Sequence, residues 1–580
     1  MLKIRICILA VAVLTRALPR TRAAIAAAFL PRFHRLFALR RSPFALRSLA
    51  LILLAGVLAL PVLAVLASWL PFGQGDAQAG GILREMAATV LPGYVLTTLW
   101  LSVMVALGAA VVGTGAAAAV TLFDFPGRRT FEWLLLLPLA MPAYVTAYAY
   151  TDFLQFSGPL QVGLRNAFGL EGRLLPEVRS LGGAVWVFIF ALYPYVYLLA
   201  RTALGERAAQ LMEAARLLGA PLPRRIRAVA LPLARPAVAA GVALVLMETL
   251  ADFGVASYFG IQTFTTGIYK AWLSMDNRLA AAQLATMLLV VVLALLHLEH
   301  RAQKRMRFAA GGVGRAGSSE AQPLVLRGGS RVLAWVVCVV PVLMGFVAPI
   351  VFMLRPLAAD WSVLPWDRFV EWAWHSVRLG GITSAIAVAL ALVLAFAVRR
   401  RPDGVTRGVV QLASLGYAVP GAVIVVGLLL PVGWLQAAAP QWGIGALVTA
   451  TAVGIVWAYL VRFCAVALQS VQSGYARIPA SLDDSARMLG MGSVGLMARV
   501  HWPLLRRSTA AAALLVFVDV MKELPATMVL RPFNSDTLAV VAYQLARDER
   551  LGEAALPSLA LVAVGLVPVI LLSRTLRSKG

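Results

Sequence analysis

Glu213-Ala-Ala-Arg-Leu-Leu-Gly219 and Asp484-Ser-Ala-Arg-Met-Leu-Gly490 are one phrase written twice, 271 positions apart. The register then runs on without a gap. Val229 meets Val500, Pro232 meets Pro503, Arg235 meets Arg506, and Ala239-Ala240 meet Ala510-Ala511. Further along, Glu248 meets Asp519, Asp252 meets Glu523 and Thr266 meets Thr537. Upstream, Ala140-Met-Pro142 returns as Ala418-Val-Pro420 at a shift of 278. Self-similarity over this range means two copies of one architecture. Each phrase reads as a short helix with a stop. Ser481, three residues before Asp484 and just after Pro479, suggests a capping-box start. Gly219 and Gly490 suit the left-handed position that ends a helix, and Pro221 and Pro223 forbid continuation. Small residues (Ala214, Ala215, Ser485, Ala486) on such a helix permit close approach by another protein.

The setting of these phrases is apolar. Hydrophobic residues make up 61% of the 580 and charged residues 13%, about half the charge of a soluble globule. That excludes a water-soluble or disordered chain and predicts an all-α polytopic membrane protein. Twelve stretches are long enough to cross a bilayer. They lie near 48–70, 93–121, 131–152, 182–200, 236–260 and 279–297, then 332–354, 375–398, 408–430, 444–463, 509–530 and 554–573. Six spans per half is an even number, so both halves enter the membrane the same way. Parallel repeats of this kind are related by an axis along the membrane normal. A solute route along that axis is the natural consequence.

The predicted division is a basic N-terminal extension, 1–47; a first six-helix half, 48–297, with its core at 93–297; a linker, 298–331; a second half, 332–573, with its core at 375–573; and a tail, 574–580. Loops on the side of the repeated phrases, with both termini, carry 38 of the 52 Lys and Arg, and the opposite loops carry 11. Positive charge marks the cytoplasmic face, so both termini are expected there. The net charge of +26 is then a topology feature and not a nucleic-acid footprint. Lys3 and Arg5 precede a short apolar run, Ile6 to Leu14, which reads as a basic extension lying on anionic lipid rather than a signal peptide. The Gly- and Ser-rich stretch 309–330 reads as flexible.

Chemistry-bearing motifs are few. Cys7, Cys338 and Cys464 are far apart and show no metal or disulfide spacing, and the five His are scattered. No G-x-x-x-x-G-K-[ST] occurs, so nothing in the chain cradles ATP phosphates. Active transport would need ATP hydrolysed by a separate subunit, and no cofactor is expected on this chain.

Ionisable residues inside spans are costly and are functional candidates by default. Glu248 lies thirteen residues past Arg235, about 20 Å into its span. Asp252 is expected one turn further on the same face. Asp519 and Glu523 match them in the second half, with Lys522 the one cation expected among them. Facing the axis, this set makes a negative, oxygen-rich lining. Facing one another, it locks the helices together. Tyr144, Tyr148, Tyr150, Tyr193, Tyr195 and Tyr197 could add phenol oxygens or simply pack.

The doubled phrase, each copy followed thirteen residues after its Gly by a Pro (Leu231-Pro232, Trp502-Pro503), resembles the signature of type I permeases of binding-protein-dependent ABC importers, here as two fused halves. The second copy departs in Asp484, Ser485 and Trp502. The resemblance covers roughly 93–297 and 375–573. It implies that Glu213, Ala214, Ala215 and Gly219, and Asp484, Ser485, Ala486 and Gly490, form two coupling helices seated on two copies of a cytoplasmic ATPase. Val518-Asp-Val-Met-Lys-Glu-Leu-Pro-Ala-Thr-Met-Val-Leu-Arg-Pro-Phe533 and Met247-Glu-Thr-Leu-Ala-Asp-Phe-Gly254 look like the ferric-iron branch of that family. The branch implies a bacterial inner-membrane location and a periplasmic iron-binding protein docked on external loops, chiefly 153–181 and 531–553. Hard ferric iron prefers oxygen ligands, which suits the carboxylates and argues against an oxyanion cargo. Thiamine and polyamine permeases resemble the same pattern. A secondary transporter driven by an ion gradient is the alternative from another class, but it leaves the doubled loop unexplained.

Overall fold

The computed structural model describes residues 43–69, 84–205, 209–311, 323–362, 364–401 and 403–577. Most of the basic extension, 1–42, and the Gly/Ser stretch 312–322 lie outside the described residues. Helices dominate what is described. The first half contains α1 (Pro43–Ala67), α2 (Leu91–Leu122), α3 (Arg128–Leu134), α4 (Ala143–Leu154), α5 (Pro159–Phe168), α6 (Leu181–Ala203), α7 (Ala209–Leu217), α8 (Leu222–Ala251), α9 (Gly254–Tyr258), α10 (Phe264–Tyr269) and α11 (Arg278–Gly311). The second contains α12 (Gly329–Ala359), α13 (Trp366–Arg400), α14 (Gly404–Leu415), α15 (Gly421–Ala438), α16 (Ala452–Tyr475), α17 (Ala480–Met488), α18 (Trp502–Lys522), α19 (Pro525–Leu530), α20 (Leu538–Arg547) and α21 (Leu551–Arg577).

Among the described residues, ten helices are long and apolar enough to cross a bilayer, and eleven if a pair bent by 89° counts as one span. That pair occupies the expected span 131–152 and bends at Ala140-Met-Pro142. Its repeat mate, expected as one span at 408–430, is also divided, α14 from α15, at Ala418-Val-Pro420. Pro142 and Pro420 both stand in extended backbone just ahead of the helix that follows, because a proline leaves the preceding turn without a donor. The eleventh expected span, 509–530, is helical as α18 only up to Lys522, and Arg506, Arg507, Asp519 and Lys522 make that helix too charged to count as apolar.

Small residues set the packing. α6 is wedged between α2 and α8, where a Cβ at Gly113 or at Gly241 would lie 2.7 Å from Val196. Close approach at small residues is how helices associate without a hydrophobic driving force. The leading helix of each half crosses to the other. α1 packs on α14 and α15, and α12 packs on α2, α4 and α6. The Trp457 indole donates to Val57 O at 3.0 Å and the Tyr150 hydroxyl to Met344 O at 2.8 Å. Part of the stretch read as flexible is also tied down: Leu324–Val325 pairs in parallel with Phe123–Asp124.

The helices of the repeated phrase are α7 and α17. The capping-box start expected at Ser481 is absent. Pro479 is the N-cap residue and makes no side-chain cap, so Ser481 falls inside the first turn. Both stops form by the same bonds. Gly219 (φ +79°) donates to Arg216 O and Ala220 donates to Ala215 O; Gly490 (φ +77°) donates to Arg487 O and Met491 to Ala486 O. That is a Schellman ending in each copy.

Candidate functional site

The spans that carry the intramembrane carboxylates are not continuous. α8 ends at Ala251, and Asp252 turns out of the helix at φ −70°, ψ 137°. α18 ends at Lys522, and Glu523 turns out at φ −70°, ψ 121°. Asp252 is therefore not one turn beyond Glu248 on a helix face, as its spacing suggested, and its carboxylate Oδ1 accepts the Val255 N–H at 2.9 Å. Glu523 does the same job more fully. Oε1 accepts the Ala526 N–H at 2.9 Å, and Oε2 accepts the Thr527 N–H at 3.0 Å and its hydroxyl at 2.7 Å. Each carboxylate satisfies the donors freed where the span breaks, which is what non-helical backbone at membrane depth requires. Asp252-Phe-Gly254 and Glu523-Leu-Pro525 carry the sequence trace of these breaks, a carboxylate two residues before a helix disruptor.

A cavity of about 200 Å³ lies between the two breaks, and Glu248, Asp252, Asp519, Lys522 and Glu523 all line it. The elbow Pro138–Tyr144, Phe188 and Tyr195 of α6, and Tyr417 complete much of its wall. The carboxylates differ in their duties. Glu523 is buried, its side chain 1% exposed, and pairs with Arg462 Nη1 at 3.2 Å. Glu248 accepts from the Tyr417 hydroxyl at 3.4 Å. Asp519 is half-buried and makes no hydrogen bond or ion pair among the described residues. Lys522 Nζ donates to Leu139 O at 3.0 Å, on the elbow of the other half.

Arg462 corrects the charge count. Lys522 is not the one cation in the lining, because Arg462 of α16 also faces the cavity. Four carboxylates stand against two cations, and one cation is engaged by Glu523. Arg462 is 61 positions from Glu523, so no local pattern joins them. Its position inside an apolar span was the available clue. Tyr417, at the second elbow, was missed as well. Of the expected tyrosines, Tyr144 and Tyr195 line the cavity. Tyr148 stacks edge-on against Tyr258, Tyr150 bonds Met344 O and Tyr197 bonds Glu132 O, while Tyr193 is fully buried.

The two repeated loops form a second constellation. Ala214 and Gly219, and Asp484, Ser485 and Gly490, are exposed; Glu213 and Ala215 are half-buried; Ala486 is buried. Glu213 pairs with Arg216 and Asp484 with Arg487, each within its own helix. Just before each stop stands an apolar pair, Leu217-Leu218 and Met488-Leu489, between 78% and 89% exposed. Large apolar side chains presented this way, at matching positions of two copies, mark a contact surface.

Comparison with known proteins agrees with this geometry. The family model described as binding-protein-dependent transport system inner membrane component matches residues 109–307. The chain is 24% identical to an Fe(3+)-transport system permease protein of Haemophilus influenzae over 92% of this chain and 99% of the relative. It is 25% identical to a probable ABC transporter permease of Sinorhizobium fredii over 83% and 86%. A probable molybdenum ABC transporter permease of Haloferax volcanii is 30% identical over 38% of this chain and 78% of its own length. With ten or eleven apolar spans among the described residues, a cavity at broken helices and a doubled exposed loop, the chain belongs to the binding-protein-dependent transport system inner membrane components, multi-pass inner-membrane permeases that work with a separate ATPase and an extracytoplasmic binding protein.

Proposed function

We propose that this chain is the permease subunit of an ATP-driven importer that takes ferric iron from a periplasmic binding protein and releases it into the cytoplasm. The observation that carries the reading is the end-to-end similarity to an Fe(3+) permease, which spans both halves. The cavity supports it. Its acidic and phenolic oxygens suit a hard trivalent cation, whereas Arg462 is held by Glu523 and Lys522 by a carbonyl, which leaves little to attract an oxyanion. Glu248, Asp252 and Asp519 are the path residues in this proposal, and Glu523 with Lys522 shapes the wall.

Two copies of the ATPase seat on α7 and α17, with Leu217-Leu218 and Met488-Leu489 as their apolar anchors. The chain itself binds no cofactor, and ATP is consumed by those partners. The loops and both termini face the cytoplasm, the side on which most of the Lys and Arg fall. Closure of the ATPases on ATP draws the loops together and shifts the population from inward-open to outward-open packing. On the other face, the loop after α19 is closed by Arg531–Asp536 at 2.7 Å and by a Ser535 N–H bond to Pro532 O, and it holds Phe533 94% exposed. This loop and the segment 153–181 receive the binding protein.

Radiolabelled ferric iron uptake in a strain lacking this chain tests the reading. Complementation by the wild type and loss with Glu248→Gln plus Asp519→Asn, at unchanged protein level, are expected. Uptake that needs neither the chain nor ATP overturns it.

A further inference from the structure

The two repeated loops are anchored to the spans by different chemistry. In the second half, Asp483 of α17 is buried and lies beside a fully buried His501, at the start of α18. Arg399, at the end of α13, grips the Asp483 carboxylate with Nε (2.9 Å) and Nη2 (3.3 Å). Its other donors reach Ile478 O at 2.8 Å and Pro479 O at 2.9 Å, in the turn that follows α16. His501 Nε2 stands 2.9 Å from Asp483 Oδ1, and Nδ1 stands 3.3 Å from the Tyr475 hydroxyl. A carboxylate only accepts, so Nε2 carries the proton. The cluster therefore ties α13, α16, the loop helix and the root of α18 at a single point.

Among the described residues the first half shows no such tie. The 271-residue register places Met212 where Asp483 stands and Ala230 where His501 stands, and the matching ends of α2 and α13 place Thr121 where Arg399 stands. Met212 and Ala230 are buried among apolar neighbours, and the Thr121 hydroxyl is buried without a partner. Among the described residues, no ion pair joins α7 to a span. Buried charge is costly unless it is paired and hydrogen-bonded, and it is best explained where it fixes a geometry. Here the fixed geometry is the seat of one loop helix.

We infer that Arg399, Asp483 and His501 are positioning residues that make the second loop a rigid lever, while the first, held among the described residues by apolar packing, is compliant, so that the two ATPase contacts transmit motion unequally. The inference rests on reading α7 and α17 as the ATPase seats. It assigns Asp483 a role in coupling, not in docking, because it points away from the exposed face that carries Met488 and Leu489.

The test uses the full permease–ATPase complex in proteoliposomes with iron-loaded binding protein. Asp483→Asn is expected to leave ATPase association intact and to lower iron transported per ATP hydrolysed by about tenfold, within the usual range of coupling effects. Asp483→Glu, which keeps the charge, is expected to recover much of that ratio. A merely structural role would lower transport and hydrolysis together and leave the ratio unchanged, which overturns the inference. Met488→Cys cross-linking to the ATPase, read without any cargo, separates the two levels. A cross-link with an unchanged ratio in Asp483→Asn overturns the lever alone. No cross-link overturns the reading of the loops and the lever with it.

Discussion

Glu523→Gln and Asp519→Asn remove one charge each, four residues apart, yet the structure assigns them opposite consequences. Glu523 accepts two backbone N–H groups and one hydroxyl and pairs with Arg462. An amide has one accepting oxygen, so whichever way the substituted side chain turns, its NH2 faces a backbone donor. Leaving a buried donor unmet costs about 1–3 kcal/mol. Arg462, whose side chain is 15% exposed, also loses its counter-charge. Removing one partner of a buried pair costs about 3–5 kcal/mol; partial solvent access to Arg462 places the expected total near the lower end, about 3 kcal/mol. Asp519 has no bonded partner among the described residues to lose, so Asp519→Asn is expected to change stability by less than about 1 kcal/mol while impairing uptake. Thermal unfolding of the purified permease, run beside iron uptake at matched protein level, decides. A Glu523→Gln protein as stable as wild type would refute the view that this carboxylate holds the broken span. An Asp519→Asn protein that unfolds early but transports normally would refute its place in the path.

Other perturbations reach the remaining parts. Gly219→Val with Gly490→Val places β-branched residues at φ near +80°, where each copy has open space but a strained backbone costing about 1–2 kcal/mol. The expected result is an inserted permease that no longer co-purifies with the ATPase, and normal co-purification would count against the loops. Phe533→Ser should leave stability within about 0.5 kcal/mol, as at other exposed positions, and weaken stimulation of ATP hydrolysis by the binding protein; unchanged stimulation would remove the loop from the docking surface. Pro232→Ala with Pro503→Ala restores a missing N–H beside the wide turns Ile226–Ala230 and Leu496–His501. Hydrogen exchange at these turns should slow, and exchange as fast as in the wild type would show that the prolines do not hold them open.

What could be read from the sequence divides along physical lines. Spans, the doubled phrase and the two glycine stops depend on local composition and local backbone freedom, and these survive in a linear string. The elbows at Pro142 and Pro420 were visible as a repeated Ala-x-Pro but were absorbed into continuous spans, because hydropathy does not register a bend. The breaks at Asp252 and Glu523 were missed for a related reason. A helical count puts Asp252 one turn beyond Glu248 on one face, and only the backbone donors of Val255, Ala526 and Thr527 show why each carboxylate is there. Arg462 against Glu523 and the exchange of α1 and α12 between halves are contacts across the fold. No periodicity encodes them.

The two ends of α8 and of its mate explain one another. From Leu222 to Ala251 the chain is helical for 30 residues, about 45 Å, from the loop that carries Leu217-Leu218 to the cavity that holds Glu248. The matching path in the second half runs from Ser493 through Leu496–His501 to Lys522. Near its loop end each rod has a π-type turn followed by a proline, where the backbone ladder is locally open; in the second rod the Asp483–His501 contact holds that turn, and in the first no ion pair does among the described residues. At its far end each rod stops at a carboxylate that clips the next short helix. A rod clipped at its far end carries displacement to the clip, and in the proposed transport cycle the clip is the wall of the cavity. A continuous span could not do this without shearing past its neighbours, because Gly113 and Gly241 already hold α6 at the limit of approach. Charge at the break is thus the condition for movement at that depth. It lets the chain leave the helix without an orphaned donor, and it keeps oxygen atoms where a cation would pass.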